Sequence, residues 1–213
     1  PSILDSWKSR YEANAANSLA LTGQLFSLLA KFQRQNIQAI PVKGPLLALS
    51  VYNDLGLRTI RDLDFVLRPE HVLAARDILA AEGFQMLTAS HWPSDAALFR
   101  SVNAEFTVYR DPIQVDVHWR LLPSYFPFQM DSPALWEGCT TQTIAGRQIP
   151  AFSPEHQLLY LAAHGAKHYW ARLQWVCDFA KFVQVVPIDW ERAFSLCRQG
   201  GNIRMLSHAL ALS

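Results

Sequence analysis

The chain has 213 residues, of which 50% are apolar and 17% charged, and its 19 Lys+Arg against 18 Asp+Glu give a formal charge of +1. That length and balance describe one ordinary globular unit with a sizeable core, and they exclude a disordered chain or one that needs disulfide or metal staples. No run of like charge stands out, so long nucleic acid, which is held by phosphate neutralisation, is not an expected partner.

Apolar residues recur at helical spacing from Leu4 to Gln35, above all Leu19, Leu21, Leu25, Leu28, Leu29 and Phe32, which predicts one or two helices. Ile37 to Val42 is short and rich in branched residues and reads as the first strand, ending at Lys43-Gly44. Pro45 suits a first helical turn, and Leu46 to Tyr52 continues that helix. Asp62 to Leu67 alternates acid and apolar residues, so a strand here places Asp62 and Asp64 on one face and Leu63 and Phe65 on the other. Pro69-Glu70 opens a helix that Gly83 closes.

His91 to Asp95 reads as a loop, followed by a hairpin of strands Ala97–Val102 and Glu105–Tyr109. Ile113 to Leu121 is a further strand, with Val115 and Val117 on one face and Asp116, His118 and Arg120 on the other. An aromatic and proline-rich loop spans Pro123–Pro133, then come a short helix at Leu135–Gly138 and a hairpin around Gly146. Ser153 caps a helix carrying His164, Lys167 and His168, and helices over 172–186 and 189–199 follow. The expected class is α+β, with a core over 1–150 that includes the N-terminal helices and a helical lobe over 151–213 packed on it as one unit.

Cys139, Cys177 and Cys197 are widely spaced and form no CxxC pair, as expected of buried thiols in the reducing cytoplasm. The start has no basic segment followed by an apolar core, and the apolar stretches break before a bilayer's thickness, so no membrane association is expected. Because the sequence starts at Pro1 rather than Met, residues are expected to precede it, and whether more follow Ser213 stays open.

The strongest chemical signal is Asp62-Leu63-Asp64. Two carboxylates at i and i+2 on a strand lie side by side and can bridge Mg²⁺ or Mn²⁺, which in turn bind phosphate oxygens; Asp116 can supply a third acid. The alternative is a solvated pair on an edge strand. Lys43-Gly44 between strand and helix lets backbone and ammonium approach a triphosphate, or is simply a turn. Arg58 and Arg61 either bind phosphate or balance the acids. His118 can orient a ligand or bind metal. His164 and His168, four apart on a helix, suit zinc in spacing but lack the acid of a His-Glu-x-x-His motif. Lys167 and Arg172 can hold phosphate from the helical lobe. Asp178 lies among apolar neighbours and needs a cationic partner, for which Lys167 and Arg172 are candidates.

Taken in order, Pro41-Val-Lys-Gly-Pro, Tyr52-Asn-Asp-Leu-Gly-Leu-Arg58, Arg61-Asp-Leu-Asp-Phe-Val-Leu, Val115-Asp-Val-His-Trp-Arg, Leu161-Ala-Ala-His-Gly-Ala-Lys-His and Leu173-Gln-Trp-Val-Cys-Asp-Phe-Ala closely resemble a bacterial family of uncharacterised nucleotidyltransferases within the polymerase-beta-like superfamily. The resemblance runs from about residue 20 to the end. It implies a mixed sheet flanked by helices, with nucleotide and acceptor in the cleft between core and helical lobe. It assigns Asp62, Asp64 and Asp116 to catalysis and to Mg²⁺ or Mn²⁺, and it implies a nucleoside triphosphate as substrate. Lys43, Gly44, Arg58, Arg61, His118, Lys167 and His168 are the residues expected to hold that triphosphate. Lys43-Gly44 stand where the superfamily usually has Gly-Ser, and Pro45 follows. The implied reaction moves a nucleoside monophosphate to a hydroxyl of a small molecule, peptide or protein. The alternative is a non-catalytic nucleotide-binding, regulatory or toxin–antitoxin-like partner.

Overall fold

The computed structural model describes residues 2–87, 104–122 and 133–213. The expected loop at His91–Asp95, the strand Ala97–Val102 and nearly all of the Pro123–Pro133 loop lie outside these residues. Helix α1 (Ile3–Arg34) is a single helix. Ser2 starts it with a capping box: its Oγ accepts from the Asp5 N–H at 3.1 Å while Asp5 Oδ2 accepts from the Ser2 N–H at 2.9 Å.

Next come β1 (Ala39–Val42), α2 (Gly44–Leu47) with a π-helical turn over Ala48–Tyr52, β2 (Asp62–Leu67), a 3-10 turn (Pro69–His71) leading into α3 (Val72–Ala81), and β3 (Gln85–Met86). Strands β4 (Glu105–Arg110) and β5 (Ile113–His118), helix α4 (Pro133–Glu137) and the hairpin β6 (Thr140–Ile144) and β7 (Arg147–Ala151) follow. The chain finishes with α5 (Pro154–Lys167), α6 (Leu173–Val185), α7 (Trp190–Gln199) and α8 (Ile203–Leu212). Among the described residues no helix is long and apolar enough to cross a membrane.

Among the described residues five strands form a mixed sheet in the order β1-β2-β5-β4-β3, in which β2 and β5 run parallel and the other neighbours antiparallel. Strict alternation divides β2 between two cores. Leu63, Phe65 and Leu67 face one side, where Leu21, Leu25, Leu28 and Phe32 of α1 recur at spacings of four, three and four and meet Val72, Ala75 and Leu79 of α3. Phe32 meets Phe65 edge to face, with centroids 5.5 Å apart. Fully burying each such side chain contributes about 1.5–3 kcal/mol. On the opposite side Val66, with Ile40 and Val42 of β1, joins a core built from α5, α6, α7 and α8. Asp62 and Asp64 share that second face with Val66, so the alternation that fills one core aims both acids toward the C-terminal helices.

The pairing is shorter than the sequence suggests at two strands. Strand β1 starts at Ala39 rather than Ile37, since Asn36 turns at φ +56 and the Ile37 N–H donates back to the Phe32 carbonyl of α1 at 2.9 Å. Strand β5 ends at His118 rather than Leu121, because the N–H groups of Trp119 and Arg120 both turn to the Ala104 carbonyl, at 3.0 and 3.3 Å. Helix α8 was not anticipated as a separate element. Its buried Leu206 and Ala209 carry a weak three-residue repeat that the sequence does show.

Gly165 lets the chain fold back after α5. A Cβ there would stand 2.5 Å from the Trp170 ring, and Trp170 itself reaches the position through left-handed Tyr169 and Trp170 backbones at φ +54 and +52. Gly165→Ala is expected to lower stability by about 1–3 kcal/mol through overpacking, measured by urea unfolding.

Candidate active site

Register in the sheet builds the site before any side chain is considered. Val42 of β1 pairs with Asp64, Asp64 pairs with Asp116 on the parallel neighbour β5, and Asp116 pairs with Thr107 on β4. Two residues further along β2, the row runs Val66, His118 and Glu105. Strand β2 is flanked on both sides, so Asp62 and Asp64 are not acids on a solvated edge strand. Opposite the sheet, α5 and the start of α6 close a cleft of about 360 Å³ whose lining includes Lys43, Asp62, Asp64, Asp116, His164 and Lys167.

Asp64 is the electrostatic centre and is only 3% exposed. Its Oδ1 lies 2.8 Å from Lys43 Nζ and 3.2 Å from His118 Nε2. The ring of His118 also donates through Nδ1 to Glu105 Oε2 at 2.8 Å, and Lys167 Nζ lies 3.4 Å from the same oxygen. A second contact of Lys43 Nζ is His164 Nε2, at 3.2 Å. A chain of polar groups thus crosses from β1 through β2, β5 and β4 to α5.

The titration behaviour follows from this wiring. Burial would raise the Asp64 carboxyl, but the Lys43 charge and the His118 hydrogen bond hold it well below the usual carboxylate range. Lys43 is held above the ordinary lysine value, the Asp64 charge outweighing the cost of burial. His118 rises to about 9, its bonds to Asp64 and Glu105 outweighing burial. Asp62 behaves oppositely: burial, and then the Asp64 charge, push its carboxyl up. Burial also pushes Asp116 up, against hydrogen bonds from Thr107 and Gln114.

His118 therefore makes the ligand-free protein pH-sensitive. Its folded value lies above the ordinary 6.5, so its contribution is complete below pH 6.5 and is lost as pH rises through about 9. Urea-unfolding free energy is expected to fall across that window in the wild type, and His118→Gln to flatten the decline. Buried His164, pushed well below the ordinary histidine value, acts only on the acid side of the window.

The other expected site residues divide. Arg61, Lys167 and His168 line the cleft, as does Arg172. Arg58 lines it too, yet it is 5% exposed and its Nε donates to Asp178 Oδ2 at 3.0 Å. Tyr52 OH donates to the other oxygen of Asp178 at 2.9 Å. The expected pairing of Asp178 with Lys167 or Arg172 is thus incorrect, because α6 turns Asp178 toward the 52–61 segment. Gly44 is buried at φ +49, with the Asp62 carbonyl 3.9 Å from where a Cβ would stand. His164 and His168 lie with ring centroids 4.8 Å apart, packed against Trp175. His164 Nε2 faces the Lys43 ammonium, so the lone pair of that nitrogen is already engaged. Of the three thiols, Cys197 is buried, whereas Cys177 is exposed, contrary to expectation.

Glu105 was missed as a site residue. The period-2 rule that selected Asp116 and His118 applies to β4 as well, with Phe106 and Val108 turned to the α1 core and Glu105 and Thr107 to the cleft. Trp175 and Gln174 also escaped notice, since nothing local in α6 marks them as cleft-lining.

Among the described residues no three carboxylate, imidazole or thiol groups converge as a preformed metal cage. The donor set still suits a hard cation. Asp64 Oδ2 is buried without a hydrogen-bond partner among the described residues, and the Asp62 and Asp116 carboxylates line the same cleft. Mg²⁺ commonly takes one or two carboxylates and completes its shell with water and substrate phosphates, so an open set of acids is sufficient.

Solved structures share this architecture. ANT(2'')-Ia bound to adenylyl-2''-tobramycin matches with a TM-score of 0.60 at 12% identity, covering 87% of this chain and 99% of that one. The solution structure of the same antibiotic-resistance factor gives 0.58 at 13% identity, covering 92% and 96%. The lincomycin-bound lincosamide antibiotic adenylyltransferase LnuA gives 0.52 at 17%, covering 77% and 97%. At such identities the likeness is one of fold. No curated protein matches the chain in sequence. The family model described as "Uncharacterised nucleotidyltransferase" matches residues 1–213, and the chain belongs to that family.

Proposed function

We propose that the protein is a metal-dependent nucleotidyltransferase that moves a nucleoside monophosphate from a nucleoside triphosphate to a hydroxyl of a small molecule. The observation that carries this reading is the row of Asp62, Asp64 and Asp116 on adjacent parallel strands, facing a cleft rimmed by Arg61, Lys167 and Arg172. Asp62, Asp64 through Oδ2, and Asp116 would hold Mg²⁺ or Mn²⁺. When bound, the cation supplies charge stabilisation on the attacking and leaving oxygens. In the transfer the acceptor oxygen bonds to the α-phosphorus, the bond to pyrophosphate breaks, and the hydroxyl proton passes to Asp116. Lys167, Arg61 and Arg172 steady the triphosphate from the rim. A small-molecule acceptor is favoured over a peptide or protein because the structural neighbours are named for antibiotic adenylylation.

One observation favours a second reading, a nucleotide-binding protein without transfer: Lys43 already neutralises Asp64 at 2.8 Å. Incubation with α-labelled nucleoside triphosphates, Mg²⁺ and a panel of hydroxylated small molecules separates the two. Label transfer with release of pyrophosphate supports the enzyme. Tight nucleotide binding with no label transfer to any acceptor supports the binding protein.

A further inference from the structure

We propose that Lys43 is a built-in cation that takes the place of one divalent ion, so that the site holds a single Mg²⁺ or Mn²⁺ with its nucleotide rather than a pair. The inference rests on the nucleotidyltransferase reading of the site and adds how many ions it takes.

Asp64 has two oxygens with different fates. Oδ1 is saturated, with the Lys43 ammonium at 2.8 Å and His118 Nε2 at 3.2 Å. Oδ2 is buried and has no hydrogen-bond partner among the described residues. A pair of ions bridged by Asp64 would need an oxygen for each, and only one of its two is open. Asp62 lies on the same strand face, and Asp116 stands opposite Asp64 in register, so Asp64 Oδ2 and these two carboxylates make one set of hard oxygen donors.

Lys43 is built into its position rather than resting there. The residue before it, Val42, is the β1 partner of Asp64, so the backbone delivers the side chain alongside that carboxylate. Lys43 itself adopts φ +60 and ψ −138, a conformation that costs a non-glycine residue free energy and persists where neighbouring contacts hold it. Its side chain is 12% exposed, and the ammonium is also held by His164 Nε2 at 3.2 Å and interacts with the hydroxyl of buried Tyr160. An ammonium with three donors and three such partners has no need of solvent, and it offsets a carboxylate charge that a second ion would otherwise offset. This gives Lys43 a role other than gripping the triphosphate.

The test counts bound Mn²⁺ by electron paramagnetic resonance on the full chain with saturating α,β-methylene analogues of each of the four common nucleoside triphosphates in turn, none of which can be turned over. One Mn²⁺ per wild-type chain is expected, rising to two in Lys43→Met. Two per wild-type chain overturns the role of Lys43 and leaves the nucleotide site standing, an outcome that needs no variant to fold. One in both proteins, with circular dichroism showing Lys43→Met folded, also overturns it. No bound Mn²⁺ in the wild type overturns this inference together with the reading it rests on.

Discussion

Asp62→Asn is expected to reduce nucleotidyl transfer by at least about 10³-fold while leaving the fold as stable as the wild type or more so, whereas Asp64→Asn, two residues away, is expected to lose about 3–5 kcal/mol of stability as well as activity. The two acids share a strand face but differ in what surrounds them. Asp62 is raised by burial and by its neighbour's charge, so removing its negative charge relieves repulsion. Asp64 is the counter-charge of Lys43 and His118, and an amide in its place leaves two buried cationic groups, with Glu105 still bonded to His118 but only the unbonded charge of Asp62 acting on Lys43. Urea unfolding of both variants beside the wild type measures the difference. Equal losses in the two would contradict this division of roles.

Asp178→Ala is expected to cost about 3–5 kcal/mol, although Asp178 lies on α6, outside the row of cleft carboxylates. It forms the ion pair with buried Arg58, whose side chain is 6% exposed, and it also accepts from Tyr52. Burial nevertheless pushes the Asp178 carboxyl up despite the guanidinium beside it. The guanidinium therefore does not fully offset the carboxylate's desolvation. Arg58→Met/Asp178→Leu should accordingly recover at least half of the single-variant loss. A double variant as unstable as the sum of the two single ones would show that the residues act independently.

The two cores were legible because they obey simple periods. The spacing of Leu21, Leu25, Leu28 and Phe32 announces the buried face of α1, and the alternation of β2 separates Asp62 and Asp64 from Leu63 and Phe65. The same alternation placed Asp116 and His118 on one face of β5. What the spacing cannot supply is strand order. That β5 lies beside β2 and parallel to it, bringing Asp116 opposite Asp64, depends on a crossover that no local pattern encodes. Partner choice was hidden for the same reason. Lys43, Arg58 and Asp178 each read as a charge in search of a ligand or an ion pair, and only packing decides that Lys43 meets Asp64 while Arg58 meets Asp178. Glu105 was legible in principle, through Phe106 and Val108 on the opposite face of β4, but a single acid at the start of a strand carries no signal of its own.

The central claim is that the carboxylate row on β2 and β5 binds a nucleoside triphosphate together with a divalent cation. Isothermal calorimetry of the wild type against each of the four common nucleoside triphosphates, with and without Mg²⁺, tests it most directly, with Asp62→Asn as the comparison because that variant is expected to stay folded. The account predicts Mg²⁺-dependent binding of at least one triphosphate, abolished by Asp62→Asn. No binding to folded wild type, or binding that Asp62→Asn leaves unchanged, would contradict it.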